Sequence, residues 1–333
     1  MFTALFVTKY ILKAFYAIGF NTEKYYGIQK ETKIFQFTKH SKVFFAISAV
    51  LILAGFVAMG VNSSNNKGVL NFGLDFKGGT STQVTLPEDV KVTNAELESF
   101  IAETIGEAGE ISKIENENSY IIKTRELSQK EREDMSKKLV KEYNVDETTI
   151  QVESISATVS SEMKKDAIVS VLIATVCMLI YIWIRFKDIN FGTSAVLALV
   201  HDVLVVLTVY AVCRVSVGNT FIACMLTIVG YSINATIVIF DRVRENLKAK
   251  TKKDTIEDIV NTSVSQTISR SVNTSFTTFV MVFVLYILGV DSVKEFAGPL
   301  MAGIVCGAYS SVCITGCLWY FFKRKFGHAV ETK

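Results

Sequence analysis

Apolar residues fall into six long runs separated by polar stretches of very unequal length. Val43–Val61 is nineteen residues without a charge, close to the ~20 that a helix needs to cross a bilayer. A long polar stretch, Asn62–Lys165, follows. Five more runs come after it: Asp166–Ile184, Ile189–Val212, Thr220–Phe240, a fifth ending near Val290, and Phe296–Phe322. Arg185 with Lys187, Arg214–Asn219, the basic stretch from Asp241, Asp291–Glu295 and Lys323–Lys325 mark the turns and the stop. In lipid every backbone polar group must be satisfied within the segment, so these runs predict six membrane-spanning helices. Before the first run, Phe2–Phe20 is apolar but broken by Lys9 and Lys13, and it lacks a small-residue cleavage pattern. That predicts a helix lying in the membrane interface rather than a signal peptide.

Inside the polar stretch the periodicity changes. Thr80–Leu86 alternates as a strand, and Thr93–Ile105 has helical spacing with Thr93 or Asn94 as cap. Glu110–Thr124 holds two strand-like pieces around Asn116–Asn118, a turn former. Ser128–Tyr143 reads as a charged amphipathic helix opened by a capping box of Ser128 and Glu131, and Thr148–Ile155 as a closing strand. The order β-α-β-β-α-β predicts a ferredoxin-like α+β domain, a scaffold common to many functions. The expected division is a leader over 1–42, a first transmembrane helix over 43–61, an extracytoplasmic domain over 62–165, a five-helix bundle over 166–322 and a tail over 323–333. Ahead of the first strand, residues 71–80 read NFGLDFKGGT. A phosphate cradle would need a helix to start directly after Gly79; a strand follows, which excludes that use. Read alone, Asp75 is a solvated turn residue.

Charge adds orientation. The polar stretch carries 19 acidic against 13 basic residues, while the whole chain has a formal charge of +3, so the remainder is strongly basic. Lys39 and Lys42 before the first run, the loop after Asp241 and Lys323–Lys325 would all lie on one side, the cytoplasmic one by the positive-inside rule. Both termini are then cytoplasmic. All six cysteines lie in apolar runs, which predicts packing as small hydrophobes rather than a disulfide framework.

Several polar residues interrupt the apolar runs. Ser232, Asn234 and Thr236 stand in the fourth, where they are expected to point into the bundle. Ser232 and Thr236 share one face, and Asn234, Val238 and Asp241 another. His201 and Asp202 sit near the middle of the third; adjacent on a helix, they point about 100° apart. The fifth opens with Ser263, Ser265, Gln266, Thr267, Ser269, Arg270, Ser271, Asn273, Thr274, Ser275, Thr277 and Thr278, the composition of a helix lining a wet groove. In the sixth, Gly303 and Gly307 form a GxxxG pair that lets another helix approach. No serine or cysteine nucleophile and no third metal ligand is identifiable beside His201 and Asp202, which argues against an intramembrane hydrolase. No cofactor, metal or nucleic-acid partner is expected.

Residues 230–246, GYSINATIVIFDRVREN, resemble the fourth span of the SecF type in the SecD/SecF protein-export family, G-Y-S-(I/L)-N-D-(S/T)-(I/V)-V-V-x-D-R-(I/V)-R-E-N. Gly230, Asp241, Arg242 and Arg244 match it, whereas Ala235 stands where the family has an intramembrane aspartate. SecD has V-D-A-N-V-L-I in this span. Residues 71–80 resemble the family's G-(I/L)-D-F-x-G-G-(T/S), matched by Asp75, Gly78 and Gly79. Arg270 resembles the arginine of the family's S-R-T-x-x-T-S, associated there with proton movement, and the His201-Asp202 pair also has a family counterpart. The resemblance covers about residues 40–325; the leader and the residues before the second run, which lack the family's proline, depart from it. It implies a resistance-nodulation-division-like half-transporter in the cytoplasmic membrane of a bacterium. Its partners would be a SecD-like subunit, the SecYEG channel and exported unfolded polypeptides, with proton motive force as the drive. With Ala235 unable to carry a proton, the carboxylate would come from the partner, assisted by Asp202, with His201, Asn234 and Arg270 as further proton-pathway candidates. The alternative is an exporter of small molecules or lipids of the same superfamily.

Overall fold

A computed structural model describes residues 6–20, 33–65, 68–87, 89–90, 92–114, 118–186, 188–251 and 254–326. The chain divides into two compact units, Met1–Phe35 and Gln36–Lys333. In the first, α1 (Thr8–Ala17) is a ten-residue helix with no buried residue. The part of the expected interfacial helix before Phe6 lies outside the described residues.

The second unit holds everything else. Helix α2 (Ser41–Ser64) leads to a one-turn helix α3 (Leu74–Lys77) and then to strand β1 (Gly79–Thr85). Helix α4 (Asn94–Ile105), strands β2 (Glu110–Lys113) and β3 (Ser119–Thr124), helix α5 (Gln129–Tyr143) and strand β4 (Gln151–Ile155) complete a four-stranded antiparallel sheet of order β2-β3-β1-β4. Alternate residues of β1 and β3 (Val84, Tyr120, Ile122) face Leu97 and Ile101 of α4 and Met135 and Leu139 of α5 in one buried core. Full burial of each such side chain contributes about 1.5–3 kcal/mol. Both helices open with capping boxes, Thr93 with Glu96 and Ser128 with Glu131. The last strand is shorter than its apolar pattern suggests, because Glu147–Thr149 close into a 3-10 turn capped by Asp146. The turn expected at Asn116–Asn118 falls mostly outside the described residues; Asn118 itself ties the sheet to the preceding loop through Leu86, Pro87 and Val90 carbonyls.

Helix α6 (Ala157–Phe186) starts two residues beyond β4, nine residues before the apolar run expected from Asp166. Helices α7 (Ile189–Cys213), α8 (Asn219–Lys248), α9 (Ile256–Leu288) and α10 (Asp291–Tyr309) follow. Helix α10 continues through a wide π turn, Ser310–Thr315, into α11 (Gly316–Phe326). Among the described residues six helices are long and apolar enough to cross a membrane, the sixth running Ser292–Lys325. Two sequence expectations need correction. Asp291–Glu295 is helical, so the connection there shrinks to Gly289–Val290. The charges from Asp241 do not end the helix, since α8 runs on to Lys248. Its C-terminal end is held by neighbours instead: Asp241 pairs with Arg185 of α6 at 2.9 Å, Arg242 Nε donates to Gln266 of α9 at 2.6 Å, and Asn246 donates to Ser263 at 2.8 Å. Arg244 reaches the Arg185 carbonyl at 3.4 Å.

Candidate functional site

The wholly buried carboxylate of Asp202 collects hydrogen bonds from three other membrane helices, directly and through His201. Its Oδ2 accepts from Ser232 of α8 at 2.5 Å and from Ser310, at the start of the π turn, at 2.8 Å. Its Oδ1 accepts from the Cys306 thiol at 3.2 Å and stands 2.9 Å from His201 Nδ1. On the far edge of the ring, His201 Nε2 lies 2.9 Å from Ser48 Oγ of α2. Beside Ser48, the Tyr309 hydroxyl donates to the Phe44 carbonyl at 2.8 Å. An unpaired buried carboxylate would be expensive, and four partners are what makes this one tolerable. The π turn belongs to the arrangement: Thr315 Oγ1 donates to the Ser310 carbonyl five residues back, closing the widened turn next to the carboxylate.

This cluster corrects the sequence reading in two ways. His201 and Asp202 do meet, since both side chains are aimed into the same space between α2, α8 and α10. Potential nucleophiles and a third ligand are also present: Cys306 Sγ, Asp202 and His201 offer donor atoms within 4.8 Å of one another. That is a donor set soft divalent metals accept, but each atom here is already engaged with another protein group. Ser48, His201 and Asp202 touch in the order of a hydrolytic triad, yet their exposures are 4, 8 and 0%, which leaves no face for an acyl substrate. Small residues recur every four positions in the sixth run, at Gly303, Gly307, Ser311 and Thr315, and Cys306 and Ser310 lie beside that stripe. They occupy the positions just before Gly307 and Ser311, on the adjoining stripe. In the stripe itself, a Cβ on Gly303 would sit 2.4 Å from Ile228 Cδ1, and one on Gly307 would sit 3.3 Å from Ser232 Cβ, so α10 lies close against α8.

The second polar locus faces outward. Thr236 is buried with Ser232 and meets Ser311 at 3.2 Å. Asn234, expected to point into the bundle, is exposed and lines an open groove of about 80 Å³. Tyr231, Ala235 and Val238 line the same groove from α8, and Arg270, Ser271, Thr274 and Ser275 from α9. Ala235 and Arg270 therefore share one cavity. Among the described residues the Arg270 guanidinium has no hydrogen-bond or ion-pair partner. Polar residues of α9 divide by face. Ser263, Ser265, Thr267, Ser271 and Ser275 are buried, while Arg270, Asn273, Thr274 and Thr277 are exposed. Thr274, Thr277 and Thr278 donate to carbonyls of their own helix, which satisfies them without a partner. Gly230 faces open space, with no atom within 4 Å of a built Cβ.

In the stretch 71–80, Asp75 is not a solvated turn residue: its Oδ2 accepts the backbone N–H of Asn219 at 2.8 Å. Gly78 and Gly79 have φ of 73° and 117°, and a Cβ on Gly79 would lie 2.3 Å from the Thr124 carbonyl oxygen, so only glycine fits there.

Comparison with known proteins places this architecture. The family described as protein export membrane protein SecD/SecF, C-terminal, matches residues 135–325. The chain is 33% identical over 299 residues to protein translocase subunit SecF of Acidaminococcus fermentans, covering 88% of this chain and 99% of that one. It is 35% identical over 309 residues to protein translocase subunit SecDF of Bacillus subtilis, covering 92% of this chain but 40% of that longer protein. It superposes on the crystal structure of SecDF, a translocon-associated membrane protein from Thermus thermophilus, with a TM-score of 0.77 and 29% identity over 94% of this chain and 41% of that one.

Proposed function

The chain belongs to the SecD/SecF family as a SecF-type protein translocase subunit, a multi-pass membrane protein of bacterial kind, and from that premise we propose how its parts work. It forms one half of a pair with a SecD-like subunit and assists the SecYEG channel in drawing unfolded polypeptides across the cytoplasmic membrane. Residues 62–165 form an extracytoplasmic ferredoxin-like domain that handles the emerging chain, with both termini cytoplasmic. The acidic balance of that stretch and the basic inner loops support this orientation. Proton motive force drives the pair, and the titrating carboxylate is the partner's.

One observation carries the reading: Arg270 opens, without an anion, onto the groove it shares with Ala235. A cation within the membrane is retained where it has a function and a partner, and among the described residues no anion pairs with this one. Asp202 does not supply it, being sealed within its own network. Its assistance to the proton route is positional: it holds α8, and hence Ala235, in place.

The test is transport by the reconstituted pair with SecYEG, with and without a proton gradient. Arg270→Leu, and separately Asn in place of the partner's intramembrane aspartate, should each remove the gradient stimulation while the pair still assembles. Stimulation that survives both changes together refutes the proposal. Copurification with a small-molecule or lipid cargo and no SecD-like subunit would favour an exporter.

A further inference from the structure

We infer that Asp75 is a positioning residue that locks the stem of the sheet domain onto the first turn of α8, so that the domain and the helix bearing Ala235 move as one body. The first N–H groups of any helix lack intrahelical acceptors. In α8 the capping position is Gly218, which has no side chain to offer and makes no cap bond. Asp75 accepts the Asn219 N–H instead, from 144 residues away in sequence. Its negative charge also suits the positive end of the helix dipole. The fit is close. A Cβ on Gly218 would lie 2.5 Å from Asp75 Oδ2, so a local cap and the distant one exclude each other.

Asp75 does not act alone. Phe72 and Val217 form a parallel bridge, with Gly73 N donating to the Val217 carbonyl at 3.0 Å and Val217 N to the Asn71 carbonyl at 2.8 Å. Asn71 Nδ2 donates to the Arg214 carbonyl at 2.8 Å, at the left-handed residue that ends α7. One short segment therefore caps the helices on both sides of the outer turn. Phe76 is buried in the cluster that contains Ala167 of α6, Tyr210 of α7 and Met225 of α8. Four residues after Asp75 comes β1, which pairs with both β3 and β4. The path from the sheet to α8 thus has no slack. Asn219 lies fifteen residues before Asn234, about 22 Å along the same helix.

The lock concerns coupling, and its transport readout rests on the proposed translocase function. Its test separates coupling from plain capping by using Gly218. Asp75→Ala, Asp75→Asn and the double variant Asp75→Ala/Gly218→Ser are compared with wild type in the full chain, paired with its SecD-like subunit in proteoliposomes. Amide exchange is read at residues 71–78 and 219–222, together with gradient-stimulated transport. Asp75→Ala should speed exchange in both segments about fivefold and cut the stimulation by a similar factor. The added serine caps α8 locally, so the double variant should regain protection at 219–222 but not at 71–78, and transport should stay low. Asp75→Asn keeps an acceptor oxygen and should behave as wild type. Wild-type transport in Asp75→Ala, or transport restored in the double variant, overturns the lock. If the wild-type pair shows no gradient stimulation, the function proposal falls, and exchange alone decides the lock: protection at 71–78 that the serine restores would sink it.

Discussion

Removing the charge of Asp202 tests whether its carboxylate holds the bundle or carries protons. The carboxylate accepts from Ser232, Ser310 and Cys306 and pairs with His201. Hydrogen bonds to a charged group contribute about 1.5–3 kcal/mol each and neutral ones about 0.5–1.5. Asparagine keeps an oxygen for the two serines. Its amide can donate to His201 Nδ1 once the ring proton moves to Nε2, where Ser48 accepts it. The change weakens the contacts by about 1 kcal/mol apiece but removes the cost of burying an anion, so Asp202→Asn should lose about 1–3 kcal/mol. Leucine satisfies none of the four groups. Breaking a buried charged network on one side costs about 3–5 kcal/mol, so Asp202→Leu should be clearly worse than Asp202→Asn. Denaturation of the purified chain in mixed micelles, followed by the fluorescence of Trp319 in its stack with Phe191, reads the difference. Equal stability of the two variants would refute the holding role. In the reconstituted pair, Asp202→Asn should keep the gradient stimulation. Loss of stimulation at normal stability would place Asp202 on the proton route after all.

Two further outcomes follow from the same geometry. Ala235→Asp puts a carboxylate into the groove with Arg270, so that this chain itself supplies the anion. The variant should partly restore gradient stimulation to a pair whose partner aspartate is Asn; a pair as inactive as with Ala235 would show that the groove does not accept the anion. In the sheet domain, the bond from Arg125, followed by those within the Ser128 cap, holds the Glu131 carboxyl at about 2, below its ordinary 4.5. A depressed carboxylate stabilises above its unfolded pKa, so amide protection at the start of α5 should decline as pH falls from about 4.5 to 2. Glu131→Gln should abolish that pH dependence, and an identical decline in both proteins would contradict the assignment.

The six spans and most of the sheet were legible because each rests on a local pattern. Nineteen uncharged residues at Val43–Val61 can hardly do anything but cross, and the capping boxes at Thr93 and Ser128 announce their helices. The C-terminal end of α8 was misjudged because charge was taken to stop a helix. Arg185, Ser263 and Gln266, distant in sequence, carry the helix on past the apolar run by engaging those polar groups. The Asp202 cluster was half visible. His201 and Asp202 stand out as ionisable groups in an apolar run, but Cys306, Ser310 and Ser48 become partners only once three helices pack together. Asp75 was misread because nothing near it in sequence needs a cap. Its role is set by Gly218, 143 positions later, and by the absence of a side chain there.

The charges in the membrane helices sort into closed and open sets, and the sorting bears on whether the chain is a functional unit. Asp202 is closed: its four partners all come from this chain, and no lysine or arginine is among them. Asp241 is closed by Arg185 of α6. Arg270 is open. Its exposed guanidinium shares a groove with Ala235, and an arginine at the centre of a bilayer costs about 2.5–3.5 kcal/mol or more. Rearrangement within the chain offers no relief, since moving Asp202 toward Arg270 would strand Ser232, Ser310 and His201 in the interior. The proposed partner would cover the groove, and an anion there would lower the free energy most. The SecDF proteins that resemble this chain are longer by more than its own length, this chain spanning 40% and 41% of them. A second half carrying a carboxylate at the matching depth closes the charge balance with no change inside this one. On this account, loss of the aspartate at position 235 is tolerable because Arg270 needs one anion, and the pair can supply it from either side.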